Sequence, residues 1–317
     1  MLKSKWMITH PQIHLRIGKS MEIVLNDITA AKLLPFRDEC SHKGNFGKAF
    51  AYIGSKKFLG AAHLALEAIL RGGCGYTELA GEDEVVLSLL NKFPEAIYTH
   101  LSSTPLLTDT EYLTVCKKSS IANATLIGCG SDVSLSLANL TLKLLDIETE
   151  NPIILDADAL NSIARYSPPM SAIRASKRPV ILTPHEMEFS RITDIPIDKI
   201  RSNRIEVAEQ VSQKLGCVIV LKGHNTVITD GKRTYVNPTG STALAKGGSG
   251  DALAGLLTSL VASSAISRLE LTALACYVHG AAADSLAQTY SDYGVTPSDL
   301  PHEMAKTMKR LSDLKAL

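Results

Sequence analysis

With 317 residues, 45% hydrophobic and 21% charged side chains and a formal net charge of +1, the chain has an ordinary globular composition, without the charge excess that a polyelectrolyte partner demands. Aromatic residues make up only 5% and no basic run alternates with stacking side chains, so nucleic acid is excluded as the expected partner. Cys40, Cys74, Cys116, Cys129, Cys217 and Cys276 form no CxxC pair and no zinc-type cluster with histidine, so they are expected to be reduced and mostly structural.

Residues 1–41 lack clear periodicity apart from Ile23-Val24-Leu25 and are expected to form an arm or leader packed on the domain; residues 42–317 are expected to form one domain. The N-terminus has no continuous apolar run of secretory type. The most membrane-like stretch, residues 252–266, is interrupted by Thr258, Ser259, Ser263 and Ser264, so a cytoplasmic location without membrane contact is expected.

From residue 49 a rhythm of short apolar runs and helical stretches begins. Residues 49–53 read as a strand, Gly54-Ser55 as a turn, and 61–71 as a helix with Ala61, Leu64, Ala65, Ala68 and Ile69 at helical spacing. Strands follow at 77–80 and 96–100, with a helix at 82–91 between them. Residues 125–127 lead into Gly128-Cys129-Gly130-Ser131-Asp132 and a helix over 133–147; 152–155 lead into Asp156-Ala157-Asp158; 179–182 lead into Thr183-Pro184-His185-Glu186. A helix over 198–215 precedes the strand 217–221, which runs into Lys222-Gly223-His224-Asn225-Thr226. Asp230-Gly231 between 227–229 and 233–236 predicts a hairpin, and helices are expected at 251–264, 269–289 and 298–314. Fully apolar strands alternating with helices predict an α/β fold: a mostly parallel central sheet, helices on both faces, and an antiparallel hairpin near one edge.

Parallel sheets bind ligands outside the carboxyl ends of their strands, and the polar clusters of this chain fall there. The last of them, Gly247, Gly248, Ser249, Gly250 and Asp251 before an apolar run, reads as a glycine-rich loop feeding a helix N-terminus. That arrangement makes an anion hole with a carboxylate beside it, suited to phosphoryl transfer; on these residues alone Asp251 is equally a helix cap. Asp156 and Asp158, two apart on an extended segment, would face one side and hold magnesium or, alternatively, satisfy loop amides. Neither nucleotide fingerprint is present: residues 44–49 lack the Walker spacing, and residues 128–133 lack the third glycine of a dinucleotide loop.

Seven ordered motifs carry a resemblance. They are His42-Lys43-Gly44-Asn45-Phe46-Gly47, Gly54-Ser55 with Gly60-Ala61, Gly128-Cys129-Gly130, Leu155-Asp156-Ala157-Asp158-Ala159-Leu160, Leu182-Thr183-Pro184-His185 with Glu188, Lys222-Gly223-His224-Asn225-Thr226, and Gly247-Gly248-Ser249-Gly250-Asp251. Over about residues 42–286 the chain resembles the ADP- or ATP-dependent NAD(P)H-hydrate dehydratases, of the ribokinase-like superfamily. The resemblance implies a three-layer fold and a repair enzyme that phosphorylates the hydroxyl of hydrated NADH or NADPH and eliminates phosphate, with ADP or ATP as co-substrate and Mg2+ as cofactor. It implies that Ala61, Gly130, His185 and Asp251 line the substrate site, and that Lys222, Gly223, His224, Asn225, Thr226 and Gly250 bind the nucleotide. Asp251 would be the base, with Glu188 and Asp156 near magnesium. A small-molecule kinase of the same superfamily is the alternative, since Asp251 could deprotonate an alcohol that keeps its phosphate. A homo-oligomer is the base-rate expectation. The chain departs from the family's usual Gly-Pro-Gly-Leu-Gly at residues 128–132 and from Asn-Pro-Gly-Met-Ala at residues 241–245.

Overall fold

Aliphatic residues that alternate between two faces build the sheet of this protein, seen in a computed structural model that describes residues 13–14, 21–102 and 107–316. The first part of the chain gives β1 (Ile13–His14), β2 (Met21–Val24), α1 (Asp27–Leu33), β3 (Lys48–Tyr52), α2 (Leu59–Arg71), β4 (Tyr76–Glu82), α3 (Asp83–Leu90), β5 (Ile97–Leu101) and α4 (Asp109–Ile121). The middle gives β6 (Ala124–Ile127), α5 (Leu135–Leu145), β7 (Ile153–Leu155), α6 (Asp158–Tyr166), α7 (Pro169–Arg174), β8 (Val180–Leu182), α8 (Glu186–Thr193), α9 (Ile197–Ser202) and α10 (Arg204–Leu215). The last part gives β9 (Val218–Leu221), β10 (Thr226–Thr229), β11 (Arg233–Asn237), α11 (Ser249–Ser263), α12 (Arg268–Gly294) and α13 (Leu300–Lys315).

Among the described residues these strands form one sheet in the order β1-β2-β11-β10-β9-β8-β7-β6-β3-β4-β5. Every pairing from β9 to β5 is parallel, while β10 runs antiparallel to both β9 and β11. The hairpin expected at Asp230-Gly231 is therefore present. Met21–Val24, in the segment expected to be an arm, pairs parallel with β11 and extends the sheet.

The pleat divides the core in two. Ala49, Ala51, Leu126, Ile154, Ile181 and Val220 face one apolar cluster with α2, α11, α12 and α13, whereas Phe50, Ile127, Ile153, Leu155, Leu182 and Ile219 face another with α5, α6, α8 and α10. Helices thus cover both faces. On the first face α11 lies close on α2: a Cβ at Gly255 would come within 2.2 Å of the Ala65 carbonyl oxygen, so only glycine permits this approach. That contact fixes where the N-terminus of α11 points.

The chain leaves β3 toward β4 and β5 on one side, then returns to lay β6, β7, β8 and β9 on the other. Between β3 and β6 the strand order reverses, which opens a crevice at their carboxyl ends. Gly54 N–H donates to the Cys129 carbonyl at 2.8 Å across that point.

Two readings needed correction. Asp156 and Asp158 do not share an extended face: β7 ends at Leu155, Ala157 turns with φ of 47°, and Asp158 already begins α6. The helix expected over 198–215 is two helices, because the backbone at Asn203 (φ −140°, ψ 46°) leaves the helical region.

Candidate active site

The loops after β3, β6, β7, β8 and β9 and the N-terminus of α11 meet at the carboxyl end of the sheet. Asp156, directly after β7, is buried at 1% exposure and takes three donors. Lys222 Nζ at the end of β9 lies 2.8 Å from Asp156 Oδ1, and Thr183 Oγ1 after β8 donates to the same oxygen at 2.7 Å. The Cys129 thiol, after β6, donates to Oδ2 at 3.6 Å. Burial works against the Lys222 charge, but Asp156 and then Glu188 offset it and hold the ammonium above its usual value.

Asp251 stands in the first turn of α11, whose N-cap is Gly248 with φ of 106°. A Cβ on Gly250 would lie 3.4 Å from Lys222 Nζ, so the glycine loop sits over the Lys222–Asp156 pair. Oxygens of Asp251 and Asp156 and the sulfur of Cys129 lie within 4.8 Å of one another. Burial, and next the Asp156 charge, push the Asp251 carboxyl up to about 7. Behind the loop, His279 Nε2 bonds the Ser249 carbonyl at 2.9 Å, and burial lowers this imidazole to about 4, which keeps it neutral and structural.

His185 caps α8. Its Nδ1 accepts from the backbone N–H groups of Met187 and Glu188 at 3.1 and 3.2 Å, while Glu188 Oε2 accepts from His185 N–H at 2.9 Å. The three-residue spacing of His185 and Glu188 is therefore a capping box with histidine in the serine role. Because Nδ1 is an acceptor, Nε2 carries the proton, and burial followed by the Lys222 charge keeps the ring below its usual pKa. Glu188 is 4% exposed, and burial raises its carboxyl.

Residues 222–226 form the tight connection between β9 and β10. Thr226 Oγ1 donates to the Gly223 carbonyl at 2.8 Å, and Asn225 takes a left-handed φ of 54°. Arg204, at the start of α10, braces this loop: its Nη2 donates to the carbonyls of Leu221 and Lys222 at 2.9 and 3.2 Å. On the other wall Gly130, with φ of 60°, abuts Ala61, where an added Cβ would lie 2.5 Å from the Ala61 methyl. Beside them Ser55, Lys57, Glu82, Ser131 and Asp132 line a cleft of about 410 Å³. Asp132 N–H donates to Asp158 Oδ2 at 2.9 Å, so Asp158 shapes the altered loop.

Among the described residues, the buried side-chain polar atoms without a partner are Ser55 Oγ, Arg204 Nε and Ser249 Oγ. All three belong to loops or helix starts at this end of the sheet, and such orphans mark where a ligand supplies the missing bond. The structure thus brings Asp156, Asp251, Gly250 and Lys222 together, and Ala61 with Gly130. Sequence reasoning gave no part to the Cys129 thiol, the Thr183 hydroxyl or Arg204. Thr183 and Cys129 stood in singled-out motifs directly after strands, whereas Arg204 opens a helix without any motif.

Residues 51–306 match the family model described as NAD(P)H-hydrate dehydratase. This chain belongs to the NAD(P)H-hydrate dehydratase family. It is 34% identical over 288 residues to the bifunctional NAD(P)H-hydrate repair enzyme Nnr of Thermofilum pendens, an alignment covering 88% of this chain and 53% of that one. The chain therefore spans about half the length of that relative. Among solved structures, the ADP/ATP-dependent NAD(P)H-hydrate dehydratase of Bacillus subtilis, co-crystallised with ATP/Mg2+, superposes with a TM-score of 0.77. The identity is 31%, over 90% of this chain and 97% of that one. A ribokinase-like superfamily protein of Enterococcus faecalis superposes with a TM-score of 0.81 at 25% identity, covering 96% and 99%. The fold is ribokinase-like.

Proposed function

We propose that this chain dehydrates hydrated NADH or NADPH at the expense of ADP or ATP, with Asp251 as the base. The observation that carries the reading is a half-buried carboxylate, held near 7, in the first turn of a glycine-started helix. A carboxylate with that proton affinity accepts a proton near neutral pH, and the helix start beside it offers free N–H groups to a phosphate. Asp251 takes the proton from the substrate hydroxyl as its oxygen attacks the terminal phosphorus of the nucleotide. The bond to the departing nucleotide breaks; phosphate then leaves the ring carbon with its bonding electrons, and the adjacent ring carbon loses a proton, whose C–H electron pair becomes the restored double bond. Hydrated NAD(P)H and ATP thus give NAD(P)H, ADP and phosphate; from ADP the nucleotide product is AMP.

The N–H groups of Gly247, Gly248 and Gly250 form the anion hole in this reading; the Ser249 N–H, expected there too, is instead spent on the Lys246 carbonyl at 3.3 Å, and Ser249 contributes its partnerless hydroxyl. Residues 222–226 bind the nucleotide. Ala61, Gly130 and His185 Nε2 hold the hydrated ring. Magnesium fits the oxygen donors at Glu188 and Asp156, each of which keeps one oxygen that the His185 N–H, Lys222 and Thr183 do not hold. When bound, the ion would neutralise phosphate charge. Purified protein given hydrated NADH, Mg2+ and either nucleotide should lose hydrate and release phosphate in equal amounts. A stable phosphorylated product would assign it instead as a kinase, and no reaction would overturn the proposal.

A further inference from the structure

Cys129 has no place in the reaction described above, yet it lies against its base. The residue is fully buried, its carbonyl is fixed by Gly54 N–H at 2.8 Å, and its sulfur lies within 4.8 Å of oxygens on both Asp251 and Asp156. Two carboxylates at this separation repel each other, and Lys222 bonds only one of them, Asp156. The Cys129 thiol donates to Asp156 Oδ2 at 3.6 Å, so it acts here as an S–H donor. It stands at the second position of the 128–132 loop.

We infer that Cys129 is a positioning residue: its S–H, shared between Asp156 and Asp251, holds the Asp251 carboxylate in place for proton transfer. The inference rests on Asp251 being the base. Other groups facing Asp251 come from β7 and α6 (Asp156, Asp158) and from the end of β9 (Lys222), and all are unchanged by replacing the thiol.

The test compares Cys129→Ala, which removes the donor, with Cys129→Ser, which keeps one. Cys217→Ala serves as control for deleting a buried thiol, since Cys217 precedes β9 at the opposite end of the sheet. For Cys129→Ala, kcat should fall about tenfold with KM within about twofold, the pattern of an effect realised in the transition state. Its crystal structure should show the Asp251 carboxylate turned from its wild-type position. Cys129→Ser should recover most of kcat and the carboxylate position, and Cys217→Ala should retain both. If Asp251 stays in place in Cys129→Ala, or if serine fails to rescue, the inference is overturned. If the wild type does not convert hydrated NADH, the dehydratase reading falls, while the position of Asp251 in the two crystals still decides the role of Cys129.

Discussion

Lys222 Nζ and Asp156 Oδ1 lie 2.8 Å apart beneath the glycine loop, so the Lys222 ammonium is bound to a carboxylate other than the proposed base. Lys222→Met would leave Asp156 and Asp251 facing each other without compensation. Breaking such a buried pair costs about 3–5 kcal/mol, readable as a drop in the urea midpoint. Because the Lys222 charge also lowers the Asp251 pKa, the acidic limb of the activity profile should move to higher pH in this variant.

Asp251 itself should destabilise the fold at neutral pH. Its carboxyl rises from an ordinary 3.8 to about 7 in the folded state, which corresponds to a penalty on the order of 4 kcal/mol once the group is ionised. Below the unfolded value both states are protonated and the penalty is absent. It grows as pH rises from about 4 to about 7 and is constant above that. Asp251→Asn should therefore be more stable than wild type at pH 8 and equal to it near pH 3.5, by urea unfolding at both. The same variant should lose turnover by several orders of magnitude, and wild-type kcat should rise with pH through about 7.

Gly130 admits no side chain without strain. Gly130→Ala places a methyl about 2.5 Å from Ala61 and forces a left-handed residue, the latter alone costing about 1 kcal/mol. KM for hydrated NADH should rise more than about tenfold while nucleotide affinity stays within about twofold, since residues 222–226 lie on the other wall. Equal loss of both affinities would remove Gly130 from the substrate wall.

At the opposite end of the strands Arg178 is buried, and its acceptors among the described residues are neutral. It donates to the Asn151 carbonyl at 2.9 Å, Ser119 Oγ at 2.8 Å, Thr125 Oγ1 at 3.3 Å and the Pro152 carbonyl at 3.3 Å. Burial lowers its pKa to about 10. Arg178→Met should cost about 2–4 kcal/mol of stability by orphaning these acceptors. Activity per folded molecule should be unchanged.

Strands such as Ile153–Leu155 and Val218–Leu221 were legible because an apolar run of that length, buried on both faces, has few alternatives. Helix α4 was not: it buries only Val115 and Ser119, so the apolar stripe that betrays a helix is almost missing, and its capping box at Thr108 and Glu111 carries the start instead. The site was legible as motifs at strand ends, since the loops after β6, β7, β8 and β9 meet where those motifs placed them. What each side chain does there was less so. Lys222 turns inward to Asp156, a partner distant in sequence, and His185 spends one nitrogen on a local helix cap, a place that Ser, Thr, Asp or Asn usually takes.

The close seating of α11 on α2 at Gly255 bears on how the protein acquires activity. Asp251 belongs to a helix near the end of the chain, while its seat, around Ala65, belongs to the second helix. A newly made chain can lay down β3 through β9 before α11 exists, and loop closure over that distance makes the docking of α11 a late event. Secondary structure should thus recover before catalysis on refolding, and the lag between circular dichroism and turnover would time the arrival of one helix.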